Sequence, residues 1–260
     1  MTVAAVESAR HGAVQVLRIN RPEARNALNP AVLTGIGVGI EQADADPEVR
    51  AIVVTATGDR AFCAGMDLRG FAAGRAALSA EDERGLAAYL RFVREGVDTP
   101  VIGAANATAV AGGFELLLAC DMVVASSAAR FGLPEVQRGL FPAGGGVFLG
   151  RRIPAAVALE LVLTGDQVDA PRAAALGLIN RVVDPDRVLP EAIALAERVA
   201  ANGPLGVQAA KRLVRASATL PDAEVWALQE QLHPGVFGSQ DAKEGATAFI
   251  ERRSPVWQGR

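Results

Sequence analysis

The chain has 260 residues, of which half are hydrophobic and 21% are charged. This composition excludes a disordered chain and is sufficient for one large domain or two smaller ones with a hydrophobic core. The 26 basic and 29 acidic residues leave a net charge of −3, and no segment concentrates positive charge, which argues against nucleic acid as a partner.

The N-terminal region lacks the features of an export signal. Residues Met1–Arg10 have neither a basic start nor a long apolar run, and Glu7 lies where a signal peptide would be apolar. The longest uncharged run, Thr99–Phe114, contains Pro100 and Asn106 and is shorter than the roughly 18 apolar residues of a membrane span. We therefore expect no membrane association and a cytoplasmic location.

Short apolar runs alternate with helical patterns through the first part of the chain. Runs bounded by turn residues predict buried strands at Ala13–Ile19, Arg50–Ala56, Val101–Ala105, Met122–Ala125 and Leu178–Val183. Helices are predicted between them at Ala31–Ala43, Gly85–Val97 and Gly113–Cys120. Asn29 and Pro30 provide an N-cap and a first-turn proline, and Ser79 marks a second helix start. This order is typical of an α/β fold.

From Asp186 onward the pattern is helical. The predicted helices are Glu191–Ala201, Leu205–Ala216, Asp222–Leu232 and Asp241–Arg252. Pro204, Pro221 and Pro234 separate these segments. We therefore divide the chain into an α/β core, residues 1–185, and a helical region, residues 186–260.

Several familiar functional motifs are absent from the sequence. Gly35, Gly37 and Gly39 lie inside a helical pattern and do not follow a strand, so they do not form a dinucleotide-binding loop. No Gly-Lys pair is present for a phosphate-binding loop, and no Gly-x-Ser-x-Gly motif accompanies the two histidines. Neither nucleotide binding nor triad hydrolysis is indicated.

No metal site or disulfide framework is indicated either. Cys63 and Cys120 have no neighbouring CxxC motif or histidine partner, so we expect both to be small buried hydrophobic residues. The sequence also lacks a dense Asp/Glu loop of the kind that binds hard metal ions.

Two glycine-containing segments can present backbone N–H groups to a ligand. Ala61–Leu68 (AFCAGMDL) follows a predicted strand, and its small residues allow close approach to the backbone. Ala109–Leu116 (AVAGGFEL) places glycines at a helix start, where free N–H groups and the helix dipole favour a developing anion. Glu115 follows Gly112 by three residues, so both can face one side of the first turn.

A third segment supplies a second carboxylate. In Phe131–Gly146, Glu135 directly follows Pro134 and precedes a glycine-rich turn. Taken alone, Glu135 is a loop glutamate, and Glu115 is better explained by compensation of the helix dipole. The three segments together indicate a site that combines backbone donors with two acidic side chains.

These segments resemble the crotonase, or enoyl-CoA hydratase/isomerase, superfamily, and the resemblance covers nearly the whole chain. Asn20–Leu28 resembles the family's first coenzyme A loop, Ala61–Leu68 its first oxyanion segment, and Ala109–Asp121 its second. Leu163–Gly165 and Ala175–Asn180 resemble its later core signatures. The implied fold is a spiral of β-β-α turns with a C-terminal helical region that builds homotrimers, often paired into hexamers.

The resemblance also implies a chemistry. The substrate would be an acyl-CoA thioester, with coenzyme A as part of the substrate and no separate cofactor. The backbone N–H groups of Ala64 and Gly112 are expected to hold the thioester oxygen and to stabilise an enolate-like state. Glu115 and Glu135 align with the two glutamates that hold a water in hydratases, and we expect Glu115 to be the base and Glu135 the proton donor. Sharing of both roles through one water is left open.

The coenzyme A moiety is expected to contact a basic residue and a backbone segment. Arg21 or Arg25 would lie near its phosphates, and the backbone of residues 64–68 would lie near its adenine. The residues assigned to coenzyme A are Arg25, Ala27, Ala64, Gly65, Met66, Asp67 and Leu68.

Two departures from the family pattern concern the acyl group. Ala111 stands where many relatives have a third glycine, and the segment Gly139–Ala143, with its bulky Phe141, departs from the family's commoner threonine- or isoleucine-containing version. Residues 68–86 match the family's variable region that lines the acyl tunnel. These features leave the acyl group undetermined, whereas both carboxylates are retained.

The resulting hypothesis is an enoyl-CoA hydratase. The alternatives are other crotonase chemistry, such as an enoyl-CoA isomerase or a hydroxyacyl-CoA dehydratase, and a non-catalytic acyl-CoA or RNA binder. An isomerase needs only one carboxylate to move a proton, and the acidic charge balance disfavours RNA.

Overall fold

A computed structural model of the protein describes residues 4–67 and 78–260. Within these ranges nine strands form two sheets. The six-stranded sheet has the order β1-β2-β3-β4-β6-β9 and contains β1 (Val6–His11), β2 (Val14–Ile19), β3 (Ala51–Ala56), β4 (Val101–Ala105), β6 (Met122–Ser126) and β9 (Arg181–Val183). The three-stranded sheet has the order β5-β7-β8 and contains β5 (Ala109–Val110), β7 (Arg130–Gly132) and β8 (Gln167–Asp169).

The large sheet is parallel except at one edge, where β1 pairs antiparallel with β2. Every residue of β3 and β4 is buried, as is usual for parallel strands that are covered on both faces. The five predicted strands are confirmed, but Leu178–Val183 shortens to β9 because Leu178 and Ile179 pack into the core ahead of the strand. The sequence analysis did not predict β1, whose residues are mostly exposed, or the short strands of the second sheet.

Nine α-helices are present in the described part of the chain. They are α1 (Pro30–Ala45), α2 (Ala80–Glu95), α3 (Gly112–Ala119), α4 (Ala155–Thr164), α5 (Ala170–Ala175), α6 (Val188–Ala200), α7 (Pro204–Ser217), α8 (Asp222–Phe237) and α9 (Gln240–Glu251). The predicted caps are confirmed, since the Asn29 side chain accepts from the Val32 N–H at 3.0 Å and the Ser79 hydroxyl accepts from the Asp82 N–H at 3.1 Å. Helix α2 ends at Gly96, where φ is 80°.

Helices cover both faces of the large sheet. On one face α1, α2 and α3 join the sheet in a core that contains the buried rings of Phe62, Phe92 and Phe114. On the other face α6 contributes Val188 and Ala192 to a second cluster with the strands. Helix α6 lies beyond residue 185 and still closes the core of the sheet, while the division at residue 185 stays a prediction.

The last three helices and the C-terminal tail pack together. Helix α8 continues beyond its predicted end at Leu232 and includes Pro234. Because proline has no backbone N–H, the helix lacks one hydrogen bond at this position. The buried Asp241 carboxylate accepts from the N–H groups of Gln258 and Gly259 at 2.7 and 2.8 Å and fixes the tail against α9. None of the described helices is long and apolar enough to cross a lipid bilayer.

A buried ion cluster joins α7 to the core. Asp121, which directly follows α3 and Cys120, pairs with Lys211 at 2.7 Å and with Arg215 at 2.8 Å. Lys211 also donates to the Thr99 carbonyl at 2.9 Å, and its side chain is only 9% exposed. The end of the helix that carries Gly112 and Glu115 is therefore anchored to the C-terminal helices through the largely buried Lys211–Asp121 pair and the partly exposed Arg215.

We expect Lys211→Met to lower the free energy of unfolding by about 3 kcal/mol, because removal of one partner leaves the buried Asp121 charge undercompensated. Urea denaturation measures this loss. Lys243→Met is the matched control, since Lys243 is the only other lysine and is exposed. A loss below about 1 kcal/mol for Lys211→Met, or an equal loss in the control, would contradict the structural role of the cluster.

Candidate active site

Three backbone segments lie side by side at the start of α3. The Leu28 N–H donates to the Gly65 carbonyl at 2.8 Å, and the Asp67 N–H donates to the Leu28 carbonyl at 2.9 Å. On the other side, the Val110 N–H donates to the Cys63 carbonyl at 3.1 Å, in a parallel bridge. The segment from residue 62 to residue 67 is thus held between the first loop and β5.

Glycines allow these segments to approach each other closely. A Cβ atom on Gly113 would lie 2.4 Å from the Cys63 carbonyl oxygen, and a Cβ atom on Gly65 would lie 2.7 Å from the Ala111 Cβ atom. Gly65 also has φ at 86°, a conformation that favours glycine. Side chains at Gly65 and Gly113 would separate the two segments.

Helix α3 begins in a strained backbone. Ala111 has φ 52° and ψ −134° and provides no side-chain cap. This conformation is rare for any residue except glycine and costs of the order of 1–3 kcal/mol. It turns the chain from β5 into the helix with the Gly112 N–H free, since that group donates to no acceptor in the described part of the chain.

The Met66 N–H is a second free donor beside Gly112. Both neighbours of Met66 bond to Leu28, whereas the Met66 N–H has no acceptor among residues 4–67 and 78–260. A Cβ atom on Gly112 would lie 3.9 Å from the Met66 nitrogen. Two unpaired backbone donors therefore occur at adjacent positions, one of them at the positive end of a helix.

Ala64 does not provide the predicted donor. Its N–H group already donates to the Arg25 carbonyl at 3.1 Å. We predicted that Ala64 and Gly112 supply two free N–H groups. The structure corrects the first of these residues, because the free N–H group beside Gly112 belongs to Met66 and not to Ala64. The sequence carried one signal for this, namely Gly65, whose left-handed conformation changes the direction in which the following N–H group points.

Glu115 lies in the first turn of α3 and is 5% exposed. Its Oε1 atom accepts from the backbone N–H groups of Gly144 and Gly146 at 2.7 and 2.9 Å. Burial raises the pKa of the Glu115 carboxyl, and the two N–H groups partly oppose this increase. The glycine-rich turn thus fixes one oxygen of Glu115, a contact that sequence reasoning missed.

Glu135 lies in the short 3-10 helix Pro134–Arg138. Its Oε2 atom is buried without a hydrogen-bond partner among the described residues. Burial raises the pKa of Glu135, and the charge of Glu115 raises it further, while its own backbone N–H and Arg138 act in the opposite direction. The charge of Glu115 therefore adds to burial in favouring the protonated form of Glu135.

The predicted coenzyme A loop is a compact turn built around Asn26. The buried Asn26 side chain accepts from the Arg21 N–H at 2.9 Å and donates to the carbonyls of Thr57 and Ala61 at 3.0 and 2.8 Å. Ala27 is buried beside it. This side chain ties the first loop to the segment that follows β3.

The two candidate arginines of this loop differ in availability. Arg21 donates to the Ala27 carbonyl at 2.8 Å and pairs with Asp67 at 3.3 Å. Arg25 is exposed and makes no ion pair or side-chain hydrogen bond in the described ranges. Of the two, Arg25 is the residue left free to meet a ligand, and Leu68 lies outside the described residues.

Neither metal chemistry nor a cysteine nucleophile is indicated. No group of three or more His, Cys, Asp or Glu side chains that could hold a metal ion lies among the described residues. Cys63 and Cys120 are buried free thiols, as predicted. Burial raises the pKa of each thiol to about 12, so both remain protonated.

Comparisons with known proteins match nearly the whole chain. A model of the enoyl-CoA hydratase/isomerase family matches residues 9–260. The chain is 37% identical to enoyl-CoA hydratase EchA19 of Mycobacterium tuberculosis over 96% of this chain and 95% of that protein. It is 38% identical to the carnitinyl-CoA dehydratase of Proteus mirabilis over 96% of each chain.

A solved structure gives the same result in three dimensions. The crystal structure of an enoyl-CoA hydratase from Mycobacterium tuberculosis superposes with a TM-score of 0.91 at 43% identity, over 99% of this chain and 100% of that chain. The predicted fold class, a crotonase-type α/β spiral with C-terminal helices, is confirmed.

Proposed function

The chain belongs to the enoyl-CoA hydratase/isomerase family, and on that premise we propose that it adds water across the 2,3 double bond of a 2-enoyl-CoA thioester. One observation carries this proposal above the others. The buried Glu115 carboxyl and the half-buried Glu135, whose Oε2 atom is sealed from solvent, occur with two free backbone donors, those of Met66 and Gly112. Hydration needs both an acid–base pair and a site for the thioester oxygen.

The thioester oxygen would lie between the Met66 and Gly112 N–H groups. Charge moves onto this oxygen as the enolate-like state forms, so the two donors stabilise that state more than the bound substrate. The dipole of α3 acts in the same direction at Gly112. One donor of this kind lowers the activation barrier by about 3–4 kcal/mol.

The two carboxyls would divide the acid–base work. Glu115 takes a proton from water as the water oxygen attacks C3, and Glu135 delivers a proton to C2. The Gly144 and Gly146 N–H groups favour the ionised form of Glu115 and partly oppose the effect of its burial, whereas burial and the Glu115 charge both favour the protonated form of Glu135. These environments support the assignment of Glu115 as base and Glu135 as acid.

Coenzyme A would lie along the first loop. Arg25, which is exposed and makes no side-chain contact in the described ranges, would meet its phosphates, and Ala27 with the backbone of residues 64–67 would border the adenine. Asp67 would act through its ion pair with Arg21, which connects the loop to this backbone.

The reverse reaction is a second candidate. The same carboxyl pair would remove water from a 3-hydroxyacyl-CoA, because the forward and reverse reactions pass through one transition state. The similarity to a carnitinyl-CoA dehydratase supports this direction equally well. An isomerase is less well supported, since one carboxyl would have no role in it.

We also propose a homotrimer, or a hexamer built from two trimers. Large apolar side chains are exposed on the C-terminal helices, among them Trp226 at 62%, Phe237 at 69% and Phe249 at 85%. Such residues commonly mark an interface. Light scattering coupled to gel filtration is expected to give three or six times the chain mass, and the mass of a monomer would contradict this assembly.

The carboxyl roles predict two large losses of activity. Glu115→Gln and Glu135→Gln should each lower kcat by about 10²–10⁴, because each removes a group that exchanges a proton with the substrate or water. The assay follows the enoyl thioester absorbance with crotonyl-CoA and longer homologues. Glu230→Gln, an exposed carboxylate on α8, is the matched control.

The same assay over a range of pH gives a second expectation. Since burial raises the pKa of both carboxyls above the ordinary value of 4.5, kcat/KM should fall toward acid with a midpoint above pH 4.5 as the base becomes protonated. It should also fall toward alkali as the acid loses its proton. Because the two carboxyls titrate as a coupled pair, neither midpoint is the pKa of one residue alone. Full activity in Glu115→Gln or in Glu135→Gln would overturn the mechanism.

Gly113→Ala tests the pair of backbone donors. The added Cβ atom would lie 2.4 Å from the Cys63 carbonyl oxygen, so the segment that carries Met66 must move away from Gly112. We expect kcat to fall by about 10²–10³, the effect of losing one oxyanion donor. Gly206→Ala in α7 is the control, because its Cβ atom would meet no atom within 4 Å. A folded Gly113→Ala protein with unchanged kcat would exclude these donors.

A further inference from the structure

The 3-10 helix that carries Glu135 is short and depends on outside contacts for its orientation. Its five residues, Pro134–Arg138, end at Gly139, whose N–H donates to the carbonyls of Glu135 and Val136. The hydrogen bonds of a 3-10 helix have poorer geometry than those of an α-helix, and bonds within the helix do not fix its direction relative to the fold. The contacts that hold this helix therefore also determine where the Glu135 carboxyl lies.

Helix α4 packs against this 3-10 helix. Helix α4 ends at Thr164, and Gly165 follows it with φ at 71°. A Cβ atom on Gly165 would lie 3.0 Å from the Pro134 Cα atom and 2.9 Å from the Gln137 Nε2 atom. The glycine therefore allows the end of α4 to meet both the backbone and one side chain of the 3-10 helix.

The Gln137 side chain joins the two elements by hydrogen bonds. Its Nε2 atom donates to the Thr164 carbonyl at 3.1 Å and to the Gly165 carbonyl at 3.2 Å. Carbonyls at a helix C-terminus lack donors within the helix and lie at the negative end of its dipole. An amide NH₂ group, which has two N–H donors, is suited to two such carbonyls. Gln137 thus ties the 3-10 helix to α4 at two points.

Gln137 and Glu135 project from different sides of the 3-10 helix. They are two residues apart, and in a helix of about three residues per turn this separation directs them about 120° apart. Gln137 reaches α4, whereas the Glu135 Oε2 atom is sealed from solvent without a hydrogen-bond partner among the described residues. A rotation of this short helix after loss of the Gln137 bonds would therefore also move the Glu135 carboxyl.

We propose that Gln137 is a positioning residue, whose two hydrogen bonds to the end of α4 set the orientation of the 3-10 helix and thereby hold the Glu135 carboxyl in the site. This inference rests on the proposed hydratase function, in which Glu135 is the proton donor. Gln137 does not contact the substrate in this role and acts only through Glu135.

Loss of this support has a signature in the pH profile. Burial is the main cause of the raised pKa of Glu135, and the charge of Glu115 raises it further. Its own backbone N–H and Arg138 lower it. The only charged residue of α4 is Glu160, which is exposed. When the 3-10 helix tilts away from α4, water reaches Glu135 and its pKa falls toward the ordinary value. The alkaline fall in kcat/KM then moves to lower pH.

Gln137→Met tests this role, because methionine is similar in size and has no N–H group in its side chain. We expect kcat to fall by about 10–100-fold, the effect of a displaced catalytic group, and KM to change by less than about twofold. The alkaline midpoint should move to lower pH. Gln137→Lys retains a donor for the helix carbonyls and should restore most of the activity. Gln42→Met is the matched control, since Gln42 is exposed on α1 and makes no hydrogen bond in the described ranges.

A second measurement does not depend on turnover. A water-soluble carbodiimide with an added amine modifies accessible carboxyls at mildly acidic pH, and peptide mass spectrometry gives the rate at Glu135. Gln137→Met should raise this rate severalfold, because the carboxyl leaves its sealed position. The rate at the buried Asp241 should stay unchanged. Gln42→Met should change neither rate.

Unchanged kcat, alkaline midpoint and modification rate in Gln137→Met would overturn the inference. An equal rise at Asp241 would also overturn it, because it would indicate a general loosening of the fold. Full activity in Glu135→Gln, or a wild-type protein that turns over no enoyl-CoA, would reject the proposed reaction. In that case the modification rate alone decides: a selective rise at Glu135 supports the positioning role, and an unchanged rate rejects it.

Discussion

The parallel contact between the segment at Cys63 and the start of α3 is the constraint on which the rest of the site depends. The bond from Val110 to the Cys63 carbonyl fixes the register of the two segments. The missing side chain at Gly113 sets their separation. Because both donors are backbone groups, their direction follows from this pairing, and no side-chain rotation could restore it if the segments moved apart.

The same helix start also determines where Glu115 lies. Glu115 is one turn beyond Gly112, so in the proposed mechanism a single rigid element would carry both a donor for the thioester oxygen and a carboxyl for the water. The Gly144 and Gly146 N–H groups then hold one carboxyl oxygen from the opposite side. At its other end, α3 continues into Asp121 and the buried charges of α7. The geometry of the site is thus supported from both ends of one short helix.

Local signals in the sequence predicted the elements well and the direction of backbone groups poorly. Asn29 and Ser79 cap helices as expected, because a cap depends on residues three positions away. The choice of Ala64 was wrong because successive N–H groups alternate along a strand, and the left-handed Gly65 resets this alternation. Ala64 and Asp67 consequently both face the first loop, and Met66 faces away from it. Only the tertiary pairing with residues 25–28 reveals this difference.

The site contains polar groups without partners in the described part of the chain, namely the N–H groups of Met66 and Gly112 and the Glu135 Oε2 atom. Buried polar groups are normally paired, and each unpaired one destabilises the folded chain by about 1–3 kcal/mol. In the proposed mechanism, a substrate that bonds to these groups would recover this free energy as binding, and it would do so most fully when the thioester oxygen carries charge. The free donors would therefore act on the rate more than on the affinity for the bound substrate.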